Sequence, residues 1–99
     1  MSGEYEDLPP PPPEILAAFL AALRSDRPQK AETAFSALFA DLFVCRKVLG
    51  ELPGRCVYLA ERVGLKYDGL PVRIDIDFNL EAGEVRRISI ARLDAKEWT

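Results

Sequence analysis

Residues Val72-Arg73-Ile74-Asp75-Ile76-Asp77-Phe78-Asn79-Leu80 (VRIDIDFNL) decide the fold class, because apolar and polar side chains alternate through all nine positions. A β-strand sends successive side chains to opposite faces, so strict alternation marks a strand buried on one face only. A second strand is predicted over residues 85–93. Between the two, Glu81-Ala82-Gly83 suits a three-residue hairpin loop closed by a glycine in the left-handed region. Setting Leu80 opposite Glu84 brings Ile76 against Ile88, Ile74 against Ile90 and Asp77 against Arg87. Apolar then meets apolar on one face and acid meets base on the other, and a slip of one residue destroys both matches.

Two strands alone are marginal in water, so the preceding residues must complete the structure. Working backwards, residues 55–63 fit two templates. Cys56, Leu59, Ala60 and Val63 have helical spacing with Gly64 as a cap, whereas the strand reading through Val57, Leu59 and Val63 is interrupted by Glu61. A short helix is the expectation. Pro53-Gly54 before it suits the centre of a type II turn.

Further back, Ser25 or Asp26 is a good N-cap and Pro28 fits a first helical turn, which predicts a second helix running to Leu49 with Gly50 closing it. Its core line is Ala31, Phe35, Leu38, Leu42, Cys45 and Leu49. Phe39 and Phe43 lie on one flank of that line. Lys47 lies near them on the polar side, and the three mark a candidate interface. A first helix is expected over residues 14–24, with Ile15, Leu16, Phe19, Leu20 and Leu23 as its apolar stripe. The predicted architecture is α+β. It comprises a two-helix antiparallel hairpin, a short third element with helix favoured over strand, and a C-terminal antiparallel β-hairpin packed on the helices.

In front of the first helix, Asp7-Leu8 leads into five prolines, Pro9 to Pro13. Acidic, small and proline residues bury little, so residues 1–13 read as a flexible arm and residues 14–99 as one α+β domain. The prolines are taken as a stiff polyproline II spacer. A ligand for an aromatic groove is the competing reading, weakened by acidic neighbours where such ligands often carry Arg or Lys.

Composition restricts the chemistry. The 99 residues hold no histidine, which removes the usual general base and the commonest metal ligand. Cys45 and Cys56 lack the spacing of a zinc site and are too few for a secreted disulfide framework. No signal peptide or membrane span is visible, and a cytoplasmic location is expected. The net charge is −3, with four of the 16 acids in residues 1–14 and no base there. The remainder, with 13 bases against 12 acids, is close to neutral. Such a body gives little general attraction to nucleic acid.

Three function classes remain. The first is a non-enzymatic protein-interaction module, an adaptor or inhibitor and a possible homodimer, with Phe39, Phe43 and Lys47 at the interface, no cofactor and no metal. The alternative is a nucleic-acid-associated regulator of winged-helix type using Arg86, Arg87, Arg92 and Lys96. Leu59-Ala60-Glu61-Arg62-Val63-Gly64-Leu65 is similar to the start of a helix-turn-helix unit, but the residues that follow enter a strand instead of a recognition helix. The third is a metal-assisted enzyme centred on the Asp75/Asp77 pair, about 7 Å apart along one strand face.

Overall fold

The computed structural model describes residues 6–39, 42–62 and 71–93, the first two by backbone alone. The elements in chain order are β1 (Glu6–Asp7), α1 (Pro13–Leu23), α2 (Lys30–Phe39), β2 (Phe43–Leu52), β3 (Arg55–Arg62), β4 (Pro71–Asn79) and β5 (Glu84–Arg92). The strands form one antiparallel sheet in the order β1-β5-β4-β3-β2. The chain is therefore α+β, with both helices on one face of a meander. No helix among the described residues is long and apolar enough to cross a membrane.

The β4–β5 register follows the alternation. Ile74 pairs with Ile90, Ile76 with Ile88 and Asp77 with Arg87. One correction applies at the loop end, where the register shifts after Asp77 so that Phe78 pairs with Val85 and Asn79 with Glu84. Arg86 is the extra residue, and the loop has four residues instead of three. Gly83 takes the left-handed conformation expected of it, φ 69°, and the Asn79 side-chain oxygen accepts the Ala82 N–H at 3.0 Å.

Two predicted helical stretches are strands. The second helix stops at Phe39, and the residues expected to continue it to Leu49 form β2 from Phe43 onward. The helical core line put Leu42 and Leu49 inside, yet both are exposed. Likewise Arg55–Arg62, expected to be helical, is β3, a strand with Cys56, Val57, Tyr58 and Ala60 all buried. Val57 and the half-buried Leu59 put apolar side chains on the helix-free face as well, so the strand is a continuous apolar run without the alternation that marks a strand. The helix-turn-helix similarity lapses with it, since Leu59 to Arg62 belong to this strand.

The arm is also partly anchored. Glu6 pairs with Ile90 and Asp7 with Ser89, and the Leu8 N–H donates to the Ile88 carbonyl at 2.8 Å. The expectation of an unattached arm through residue 13 therefore fails at residues 6–8, and Pro13 is already the first residue of α1. Proline is tolerated there because its missing N–H belongs to the unpaired first turn.

Phe19, Leu20 and Leu23 of α1 and Ala31, Ala34, Phe35, Leu38 and Phe39 of α2 pack on Cys56, Tyr58, Ala60, Ile74, Ile76, Phe78 and Ile88. Phe19 meets Phe78 edge-on at 5.9 Å between ring centres. Arg24, just past the end of α1, donates to the Leu80 carbonyl at 2.5 Å and ties the helix to the β4–β5 loop.

The two glycine turns separate two kinds of constraint. Gly54 has φ 80°, and a Cβ there would stand 3.2 Å from the Phe78 carbonyl oxygen, whereas a Cβ on Gly83 would meet only the movable Arg24 guanidinium at 3.7 Å. Gly83→Ala is expected to cost about 1 kcal/mol, the backbone penalty of the left-handed region. Gly54→Ala should cost clearly more, because backbone crowding adds to the same penalty. Urea denaturation of both variants checks the order, and equal costs would contradict it.

Candidate interaction surface

β2 is an outer strand paired only with β3, so its other edge is unpaired among the described residues. Two bulges interrupt the ladder, between Cys45 and Lys47 and between Val48 and Gly50. The first turns Arg46 aside to donate to Glu61 at 2.6 Å. The second turns out Leu49. Bulges and cations on an edge strand oppose unbroken edge-to-edge pairing.

What distinguishes this edge is its apolar exposure. Leu42 is 59 % exposed, Val44 41 %, Leu49 45 % and Leu52 56 %, and these are the exposed large apolar side chains among the described residues. All four fall on β2 or immediately before it. Val44 and Leu52 pair with Glu61 and Arg55, so they point to the sheet face opposite the helices, as does Lys47 opposite the half-buried Leu59.

The aromatic pair predicted for the interface stands elsewhere. Phe39 and Phe43 are buried, and their rings meet edge-on at 5.3 Å inside the core, with the Arg62 guanidinium 5.7 Å from the centre of the Phe43 ring. The premise of a helical aromatic flank does not hold, because Phe43 is the first residue of a strand. Lys47, predicted with them, is exposed on β2.

The remaining candidate residues do not assemble either. Arg86 occupies the β5 irregularity, 3.5 Å from Glu84. Arg87, paired with Asp77, projects from the helix-free face, while Arg92, opposite Val72, projects from the helix side. Lys96 lies outside the described residues. Asp75 on the helix-free face is held by Arg55 at 2.8 Å and Arg73 at 3.3 Å. Both of its oxygens are therefore engaged, and no group of three or more metal-ligand side chains occurs among the described residues. A groove of about 140 Å³ lies between the proline tract and β5, bordered by Leu8, Pro10, Pro11 and Leu16 on one side and by Val85 to Ile88, Arg86 and Arg87 included, on the other. The sequence matches no protein-family model, and no curated protein or solved structure matches it.

Beneath the surface, the core contains a polar line. The Tyr58 hydroxyl, fully buried, donates to the Ala31 carbonyl at 2.8 Å. Burial raises the Tyr58 phenol above its ordinary value of 10.0, and nearby Cys56 pushes it the same way. Burial likewise raises the Cys56 and Cys45 thiols above 9.0, with Glu32 adding to the effect at Cys45. Each group favours its neutral form in the folded state. In the unfolded chain these groups lose protons first, so stability is fully present below pH 9 and falls as pH rises through and beyond the unfolded values of 9.0 and 10.0. Denaturation midpoints measured from pH 7 to 10.5 should fall above pH 9, and a Cys45→Ala/Cys56→Ala variant should fall less steeply. A flat profile would contradict the burial of these groups.

Proposed function

We propose that the chain is a small non-enzymatic protein-interaction module, an adaptor or inhibitor that binds another protein by surface complementarity along β2. The observation that supports this reading is that Leu42, Val44, Leu49 and Leu52 all lie on or just before one outer strand whose second edge is unpaired among the described residues. Scattered apolar surface residues need no explanation, but a cluster on one edge is the usual mark of a docking surface. Covering it recovers roughly 25 cal/mol for each Å² of apolar area removed from water.

The bulges set the mode of binding. The ladder of backbone hydrogen bonds is interrupted twice, so affinity rests on the side chains, among which Arg46, Lys47 and Glu51 are exposed charged neighbours on the same strand. A partner with an apolar centre fits this edge, and a second copy of the chain is one such partner.

A photo-reactive residue at position 52 can capture the partner, and titration with the purified captured protein then tests the surface. Leu49→Asp with Leu52→Asp should hold the denaturation midpoint to within about 0.5 kcal/mol, as exposed substitutions do. The same change should weaken binding at least tenfold. A folded double variant that binds as well as the unaltered protein would overturn the proposal.

A further inference from the structure

Both ends of the proline tract are attached to the body. On one side lie the β1–β5 pairs and the Leu8 N–H bond to Ile88, and on the other Pro13 begins α1. A spacer that holds the arm away from the body does not describe such a segment. Pro12 has φ −55° and ψ 149°, within the polyproline II range. That helix has three residues per turn, so residues three apart share an edge. Burial follows this period. Leu8 and Pro11 are half-buried, while Pro9 and Pro12 on a second edge, and Pro10 on the third, are exposed. The tract therefore rests one edge on the body and offers two to solvent.

Charge selects the partner. Residues 1–14 contain four acids and no Lys or Arg, and the acids flank the prolines on both sides, with Glu6 and Asp7 before and the exposed Glu14 after. We propose that residues 9–12 are a pre-formed polyproline II ligand, displayed for a partner protein whose aromatic-lined groove has basic residues at its rim. Grooves of this class take successive prolines between aromatic rings and profit from the low entropy of the ligand. Anchoring at both ends extends that benefit, since the ordering cost has been met in folding and not at binding. The site is separate from the β2 edge and does not depend on it.

The probe is an EVH1 domain with basic residues beside its aromatic groove, titrated calorimetrically, with an SH3 domain of acidic rim for contrast. The intact protein should bind the EVH1 domain saturably and at least threefold more tightly than a synthetic peptide of residues 4–16, and should bind the SH3 domain less well. Pro9→Ala with Pro12→Ala should weaken binding at least tenfold with an unchanged circular dichroism spectrum. Glu14→Lys alters one exposed side chain and should weaken binding several-fold. The Leu49→Asp/Leu52→Asp variant should bind the domain like the unaltered protein, which separates failure here from failure at β2. Absence of saturable binding, a free peptide that binds as tightly, or indifference to both the proline and the Glu14 changes would overturn the proposal.

Discussion

The Tyr58 hydroxyl joins the two layers of the molecule. It is buried on the central part of the sheet and donates to a carbonyl of α2, while its ring stacks at a tilt on Phe35, 4.7 Å between centres. A buried hydroxyl without a partner costs one to several kcal/mol, so the bond restricts where α2 can sit on β3. With α2 placed, Ala31 and Ala34 bring the helix close to the sheet, and Phe35, Phe39 and Phe43 form a continuous aromatic row toward the outer strand. The position of β2, and with it the orientation of the exposed leucines, follows from that row.

The second constraint is the sheet itself. Its helix-covered face is apolar, while much of the opposite face carries Arg55, Arg73, Asp75, Asp77 and Arg87, with Asp75 held by both Arg55 and Arg73 and Asp77 in register with Arg87. Exposed pairs of this kind contribute under about 1 kcal/mol each and chiefly keep the face wet. The two outer strands are treated differently. β5 is partly covered by residues 6–8 and the proline tract, whereas among the described residues β2 has only its bulges and cations as protection, and retains its apolar side chains in water.

Legibility in the sequence varied with burial. β4 is buried on one face and solvated on the other, so its alternation revealed type, extent and pairing with β5, down to Asp77 against Arg87. β3 is apolar on both faces, and Cys56-Val57-Tyr58-Leu59-Ala60 has no period by which to recognise it. β2 misled for a further reason. Phe35 and Leu38 belong to the true helix α2, and Leu42, Cys45 and Leu49, before and within the twice-bulged strand, continue its spacing and imitate a longer helix. The need for more than two strands was the available signal against that reading. The β2 edge, as a candidate site, was hidden by the same error, because Leu42 and Leu49 were assigned to the core. Lys47 lies exposed on β2 and not on a helix flank, while the polyproline conformation of the tract is readable from composition alone and its docking is not.

Amide hydrogen exchange across residues 43–52, followed residue by residue, tests the free outer strand most directly. An edge strand bonded on one side only should show protection that alternates, slow where an N–H points to β3 and fast where it points outward, with the alternation broken at Arg46 and Leu49 and unchanged by protein concentration. Continuous protection through Leu49 would contradict this arrangement, whether it came from a helix or from an edge already covered by another strand.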